Sequence, residues 1–140
     1  MNQNTYKASS LGDLLLVFRR NMHEIIKKEG LKYDLTFSQA EVMRYIGPTG
    51  KKTMKNIADF LKVAPPSATE IVSDLESRGL VKREGDKMDR RIVFIVATPR
   101  AKRFFDSMYR QKDIFFKKMI SKLSKKDQDT LERIIRQLIS

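Results

Sequence analysis

Between residues 53 and 98 the spacing of apolar positions first follows the period of an α-helix and then alternates. A first helical stripe has Thr53 as its N-cap, and a second stripe stops at Gly79. Pro65 and Pro66 lie between the stripes, where their fixed φ and missing N–H suit a first helical turn and forbid one continuous helix. The sequence therefore predicts two short helices joined by a tight turn, a helix-turn-helix. The apolar members are Met54, Ile57, Ala58 and Leu61, then Ala68, Ile71, Val72 and Leu75.

Beyond Gly79 the apolar positions alternate, as they do in strands. Candidate strands run from Leu80 to Glu84 and from Arg91 to Ala97, and the polar segment GDKMDR separates them. This pattern predicts a β-hairpin with a charged tip, which is called the wing below (residues 80–97). One face of its second strand carries Ile92, Phe94 and Val96.

Two capping boxes predict the helices that precede this region. Ser10 and Asp13 match the N-cap and third positions, and an apolar stripe of about 16 residues follows and is closed by Gly30. Thr36 and Gln39 form the second box, which opens a helix that ends before residue 47. These signals predict two helices in the first third of the chain.

The segment GPTGKKT, residues 47–53, is predicted to be a loop. It is not a phosphate-binding loop, because that motif needs about four residues between its glycines and here Pro48 and Thr49 alone separate them. Lys51 and Lys52 are interpreted as contacts to a nucleic acid backbone or as solvated turn residues.

Two further helices are predicted after the wing. Thr98 and Pro99 fit an N-cap followed by a proline at the first helical position, and the helix they open runs to about Lys122. Ser124 and Asp127 form a third capping box, which opens the final helix. Together with the first helix, these elements carry more apolar surface than one small domain can cover, and this surplus predicts dimerisation.

Composition narrows the classes of function. The 140 residues suffice for one domain, and the net charge of +12 with a pI near 10.0 favours polyanionic partners, although so many lysines also fit a solubilising surface. The chain has no cysteine, which excludes disulfides and thiolate metal sites. No apolar run approaches the roughly 18 residues of a membrane span, and the N-terminus lacks a signal-peptide pattern. A cytoplasmic protein without a membrane partner is expected.

The sequence offers little material for catalysis. His23 is the only histidine, and the segment HEII lacks the second histidine of a zinc-protease motif. A histidine on such a helix is more typical of a surface or interface than of a metal site. We therefore expect no enzyme, no catalytic residue, no metal and no cofactor.

Residues 65–98, PPSATEIVSDLESRGLVKREGDKMDRRIVFIVAT, resemble the MarR family of winged helix-turn-helix regulators. The most specific part is RGLVKREGDKMDRR, which is similar to the family's Gly-Leu-(Val/Ile), basic strand and Asp-x-x-Asp-Arg-Arg. The resemblance implies a mainly α fold with a small β-hairpin wing, a DNA-binding core at 36–98, and dimerisation helices at 9–30 and 99–140 of a single domain, 1–140. It also implies a transcriptional repressor that binds a palindromic operator as a homodimer.

Candidate contacts to double-stranded DNA divide between the second helix of the motif and the wing. Because acidic residues outnumber basic ones on that helix, the electrostatic affinity must come from its surroundings. The resemblance assigns Arg91 to the minor groove, with Asp89 holding its guanidinium and Arg90 at the adjacent phosphate. An ordinary solvated helix face and a purely structural salt bridge in the wing are the alternatives. The candidates are Lys55, Pro66, Ser67, Thr69, Glu70, Ser73, Lys87, Asp89, Arg90 and Arg91.

Two positions depart from the family's pattern. Ala64 stands where the family has a serine, which removes a side-chain cap worth about 1 kcal/mol. Glu70 stands where the family has an arginine, so that arginine's contact does not carry over. A carboxylate can accept from cytosine N4 or be repelled by phosphates, and we expect an operator that differs from the family's usual ones.

The resemblance further implies a small aromatic or anionic effector that binds between the dimer helices and the DNA-binding core. Each candidate pocket residue is also explained as core or dimer interface. Two other functions stay open, namely an effector-independent architectural DNA-binding protein and a winged-helix protein-interaction module. The candidate pocket residues are Phe18, Met22, Met43, Phe104, Phe105 and Met108.

Overall fold

A computed structural model describes residues 10–140. The fold class predicted from the sequence is confirmed, because the chain is mainly helical with a small antiparallel sheet. The elements in chain order are α1 (Leu11–Lys32), α2 (Phe37–Ile46), β1 (Lys51–Thr53), α3 (Met54–Leu61), α4 (Pro65–Ser77), β2 (Val81–Gly85), β3 (Val93–Ala97), a 3₁₀ turn (Pro99–Ala101), α5 (Lys102–Ile120) and α6 (Lys125–Ile139).

The sheet has three strands in the order β1-β3-β2, and both pairs are antiparallel. The prediction that residues 47–53 form only a loop was wrong for its last three residues. Lys51, Lys52 and Thr53 pair with Val96, Ile95 and Phe94 of β3. A three-residue strand is too short to show an alternating pattern, and β3 supplies its hydrogen-bond partners from far along the chain.

The core lies between α2, α3, α4, the sheet and the start of α5. Its largest fully buried side chains include Phe104, Met43 and Ile57. In β3 the residue that enters the core is Ile95, which is 1% exposed, whereas Phe94 and Val96 on the opposite face are only half-buried. The alternation of β3 is therefore real, and its inward face carries the isoleucine.

The sequence predicted that Gly30 ends the first helix. This prediction was wrong, because α1 continues to Lys32. Gly30 is buried, and a Cβ placed there would lie 2.9 Å from the Cβ of Ala40 on α2. This glycine is required for the close approach of two helices. The residue before it, Glu29, is also buried, and its carboxylate accepts from Ser107 Oγ of α5 at 2.6 Å and from Lys32 Nζ at 2.5 Å.

Thr98 does not cap the helix that follows it. A 3₁₀ turn at Pro99–Ala101 precedes α5, and the Thr98 side chain forms no capping bond there. Its hydroxyl donates to the carbonyl of Gly79, and its N–H donates to the carbonyl of Leu80 at 3.0 Å. The threonine therefore joins the end of β3 to the segment that links α4 and β2.

The described chain forms two compact units, of which one ends at Met108 and the other comprises Tyr109–Ser140. In the second unit Ser124 caps α6 by accepting from the N–H of Asp127 at 3.1 Å. A hydrogen bond to Asp129, with Nζ and Oδ1 at 2.8 Å, raises the pKa of Lys125. Among residues 10–140 the structure has no helix that combines the length and apolarity needed to cross a bilayer.

Candidate nucleic-acid interface

The helix-turn-helix consists of α3, a three-residue turn and α4, as predicted. Thr53 begins α3 with a full capping box, in which its hydroxyl accepts from the Asn56 N–H and the Asn56 side chain accepts from the Thr53 N–H. Lys62 ends α3 in the left-handed conformation, with φ 55° and ψ 44°. Ala64 then precedes α4 in an extended conformation and, as expected from its methyl side chain, forms no capping bond.

The C-terminal end of α4, the recognition helix, is fixed by Gly79. This glycine has φ 71°, which residues with a Cβ rarely adopt, and its N–H donates to Glu76 O at 2.9 Å. The N–H of Leu80 donates to Leu75 O at 3.0 Å, which completes a Schellman motif. The chain thus turns directly from the recognition helix into β2.

The recognition helix buries one side and exposes the other. Ala68, Val72 and Leu75 are completely buried. The Thr69 hydroxyl donates to Pro65 O at 3.0 Å, and therefore acts towards any ligand mainly through its oxygen lone pair and methyl group. The exposed residues include every helix position that we had predicted to contact DNA, namely Pro66, Ser67, Thr69, Glu70 and Ser73.

Two of the three carboxylates on the recognition helix are held by neighbours from other elements. Asp74 Oδ2 accepts from Gln39 Nε2 of α2 at 2.5 Å and lies 3.0 Å from Arg78 Nε. Glu76 Oε1 lies 3.5 Å from Arg83 Nε of β2. The partners Gln39 and Arg83 were missed in the sequence, because each depends on how α2 or β2 packs beside α4. The two arginines offset the negative charge at the C-terminal half of the helix.

The wing is a regular hairpin whose tip is organised by aspartates. Strands β2 and β3 pair from Val81 with Ala97 to Gly85 with Val93. At the tip, Asp86 Oδ2 accepts from the N–H of Met88 at 3.2 Å and from the N–H of Asp89 at 2.9 Å. These bonds form an Asx-type turn, which gives the tip a defined shape.

Arg91 lies at this tip beside Asp89. Its backbone N–H and its Nε both donate to Asp89 Oδ1, at 3.0 and 3.2 Å. The arginine side chain is 91% exposed and the aspartate side chain 37%, so the pair orients a guanidinium that faces solvent. The geometry agrees with the orienting role that the resemblance implied for Asp89, and the structural interpretation of the same salt bridge is equally satisfied.

Further basic side chains surround these two elements. Lys82, Lys87 and Arg90 of the wing are exposed, and none of them forms an ion pair with any residue from 10 to 140. Lys55 on α3 is exposed as well. Their ammonium and guanidinium groups are free to meet an anion such as a phosphate.

The two lysines of β1 were interpreted from the sequence as contacts to a nucleic acid backbone or as solvated turn residues. In the structure each of them lies over an aromatic ring. Lys51 Nζ lies 4.5 Å from the ring centroid of Phe94, and Lys52 Nζ lies 4.5 Å from that of Tyr45. Tyr45 in turn stacks on Phe60 with parallel rings at 4.1 Å. These cation–π contacts fix the lysine stems while leaving Lys51 exposed.

The residues predicted to line an effector pocket fall into two groups. Met43, Phe104, Phe105 and Met108 lie together in the closed core, each at most 4% exposed. Phe18 is 39% exposed on α1, and Met22, which is half-buried, is outside the core cluster. The pocket stays a prediction.

The single histidine lies at an aromatic contact, with its ring centroid 5.6 Å from that of Phe37. Within the described residues no three histidine or acidic side chains are grouped as a metal site would require. Metal binding therefore gains no candidate from this part of the chain.

A helix-turn-helix followed by a hairpin wing defines a winged-helix protein, and comparison with known proteins finds a family with the same motif. Residues 33–92 match the model of the MarR family. This part of the chain, which holds the helix-turn-helix and most of the wing, is thus similar to the MarR family of winged helix-turn-helix transcriptional regulators.

Individual relatives agree with this assignment. An uncharacterised HTH-type transcriptional regulator of Bacillus subtilis, YfiV, is 26% identical over 103 residues, which are 74% of this chain and 64% of the relative. The match thus spans less than two thirds of that relative's length. Wild-type MarR from E. coli in its apo form has the same fold, with a TM-score of 0.72 at 18% identity over 94% of this chain and 98% of that one. A variant of MepR from S. aureus bound to an oligodeoxyribonucleotide has a TM-score of 0.62 at 18% identity over 93% and 96%.

Proposed function

We propose that this protein is a transcriptional repressor that binds a palindromic operator in double-stranded DNA as a homodimer. The observation that carries the proposal is the exposed polar face of the recognition helix, joined through Gly79 to a wing whose basic side chains face solvent. The fold it shares with the MepR variant bound to an oligodeoxyribonucleotide supports the same conclusion.

Each element has a separate task in this proposal. The second helix of a helix-turn-helix enters the major groove, so Ser67, Glu70 and Ser73 are positioned to meet base edges. The wing places Arg91 in the adjacent minor groove, where a narrow A·T-rich segment concentrates negative potential, and Asp89 restricts the rotamers of that guanidinium. Lys55, Lys87 and Arg90 contact phosphates and fix the register without selecting a sequence.

The net charge of +12 supports a large electrostatic contribution to affinity. Each phosphate that a lysine or arginine neutralises releases counterions, so log K falls by roughly 0.9 per phosphate for each decade of salt concentration. Binding through the candidate cations should therefore weaken steeply as salt is raised.

Exposed apolar side chains support the homodimer. On α1, Leu11, Leu14 and Leu15 are more than half exposed, and on α6 Leu138 and Ile139 are 77% and 79% exposed. Soluble monomers rarely expose such apolar stripes to solvent, so we propose that a second copy of the chain buries them. Two-fold symmetry then matches a palindrome whose half-sites lie about 34–36 Å apart.

We also propose that a small aromatic or anionic effector releases the operator. The support is the similarity of residues 33–92 to the MarR family, together with the core cluster that contains Met43 of α2 and Phe104, Phe105 and Met108 of α5. A ligand that entered this cluster would move α5 relative to α2 and favour a state with a different separation of the recognition helices. The proposal includes no catalytic step.

The central test is selection of bound duplexes from a random library by the full chain, followed by anisotropy titrations at several salt concentrations. A palindrome bound at least about a thousandfold more tightly than random DNA is the expected result. Uniform affinity for all duplexes would instead indicate an architectural protein, and no binding at low salt would favour a protein-interaction module. Effector candidates are then screened for release of the selected duplex.

The homodimer has its own test, by sedimentation of the wild type and of Leu138→Asp. We expect a dimer for the wild type and a shift towards monomer for the variant, because a carboxylate would be desolvated in the interface. Gln137→Asp, which changes a neighbouring exposed position of α6, is the matched control and should remain dimeric. A monomeric wild type would contradict the proposal.

A further inference from the structure

Glu70 differs from the other carboxylates of the recognition helix. The carboxylates of Asp74 and Glu76 form ion pairs with the guanidinium groups of Arg78 and Arg83, respectively. The Glu70 side chain is exposed and forms no hydrogen bond or ion pair with any residue between 10 and 140. Its two oxygens are therefore carboxylate acceptors that a ligand meets without displacing a partner from these residues.

Helical geometry places Glu70 at the centre of the exposed face. With about 100° of rotation per residue, position 70 lies roughly 160° around the helix axis from both Ala68 and Val72, which are two positions before and after it. Both of those residues are completely buried, so Glu70 lies opposite the core. If the recognition helix lies in the major groove, this position faces the floor of the groove.

The surroundings of Glu70 on the helix supply no positive charge. Residues 65–77 contain three acidic side chains and neither lysine nor arginine. A glutamate carboxylate only accepts hydrogen bonds, and phosphate oxygens repel it. A direct hydrogen bond between this side chain and a duplex therefore needs a base donor placed against the carboxylate.

The major groove offers two such donors, the amino groups of cytosine N4 and adenine N6. Adenine presents the acceptor N7 beside its amino group, which repels a second acceptor, whereas cytosine presents no acceptor of its own at this edge. We infer that Glu70 recognises the N4 amino group of a cytosine, so that each half-site of the operator contains a C·G pair selected by this side chain. This inference rests on the proposed function and adds a specificity determinant to it.

The test uses the full-length wild type, Glu70→Ala and Glu70→Gln, each with duplexes derived from the selected site. Replacement of C·G by T·A, one symmetric position at a time, should reduce wild-type affinity by about 5- to 150-fold at the position that meets Glu70. Glu70→Ala should show no such loss there. Glu70→Gln should shift the preference at that position towards adenine, since glutamine pairs with N6 and N7.

Glu84→Ala is the matched control, because it removes an exposed carboxylate from β2 of the wing. It should retain the wild-type base preference at every position. Urea denaturation of each variant checks folding. The exposed Glu70 side chain has no hydrogen-bond or ion-pair partner within the part of the chain that the structure describes, so its variants should unfold at the wild-type midpoint.

Two outcomes would overturn the inference while the proposed function stands. In one, Glu70→Ala keeps the wild-type preference at every position. In the other, it binds all duplexes more tightly by one common factor, which would show that Glu70 only repels phosphates. A wild type without preference for any duplex would instead refute the proposed function itself, and the inference with it.

Discussion

The recognition helix and the wing are adjacent in the chain but opposite in charge. The helix, residues 65–77, carries three acidic and no basic residues, whereas residues 81–93 of the wing carry five basic and three acidic residues. A helix of that charge cannot hold a polyanion by attraction. The difference suggests a division of labour in which the wing supplies affinity and the helix supplies selectivity.

The two elements also differ in how they are anchored. The recognition helix buries Ala68, Val72 and Leu75 completely, whereas the strands of the wing bury Val81 and Ile95 and pack the partly buried Ala97 against the core. Backbone and hydroxyl contacts of Thr98 to residues 79 and 80 add a tie at the base. The wing thus depends on fewer apolar contacts than the helix that it accompanies.

The largest effect is expected from Ile95→Ala. This side chain is 1% exposed, and truncating a buried isoleucine costs about 2–5 kcal/mol of unfolding free energy, since the cavity is only partly refilled. Urea denaturation measures the loss. Val93→Ala on the same strand, where the valine is 43% exposed, is the control and should cost well under half as much. Equal losses in the two variants would show that Ile95 does not anchor the wing.

The next effect, on DNA binding, is expected from Arg91→Ala. Loss of the guanidinium that Asp89 orients should weaken binding to the selected duplex by about 1–3 kcal/mol and reduce the slope of log K against log salt by about 1. Anisotropy titrations across a salt series measure both quantities. Lys126→Ala, an exposed cation on α6, is the control and should leave the slope unchanged. An unaltered affinity and slope for the Arg91 variant would remove this arginine from the interface.

Local signals in the sequence were sufficient to place most helices. The capping box of Thr36 and the N-cap at Thr53 are present, and Gly79 ends the recognition helix where the pattern indicated. These features involve residues within a few positions of one another, so a short segment of sequence is enough to recognise them. For the same reason, helical periodicity correctly separated the exposed face of the recognition helix from its buried face.

The errors all concern residues whose role depends on distant partners. A glycine can end a helix or permit a close contact between helices. Gly30 has the second role, because Ala40 of α2 leaves no room for a Cβ there. A threonine hydroxyl can cap a helix or form a hydrogen bond elsewhere. The Thr98 hydroxyl does not cap the following helix, because it donates to the Gly79 carbonyl. The ion pair between Glu76 and Arg83 was equally invisible, because it needs the packing of β2 beside α4.

The smallest effect is expected from Ala64→Ser, which separates the stability of the recognition helix from its selectivity. Ala64 already has the extended conformation of an N-cap, with φ −64° and ψ 148°. Pro65 and Pro66 have no N–H, so a serine hydroxyl at position 64 could cap only the N–H of Ser67, which now donates to Ala64 O at 3.0 Å. The gain in unfolding free energy should therefore lie at the lower end of capping effects, about 0.5–1 kcal/mol.

Urea denaturation measures this gain, and Thr53→Ala supplies the control of opposite sign. That variant removes the capping box of α3 and should cost about 1 kcal/mol. Ala64→Ser should leave the base preference of the selected duplex unchanged, because the cap lies at the end of α4 and Glu70 lies on its exposed face. A changed base preference would show that the stability and the selectivity of the recognition helix are coupled. The turn that joins α3 to α4 would then contribute to selectivity together with the recognition helix.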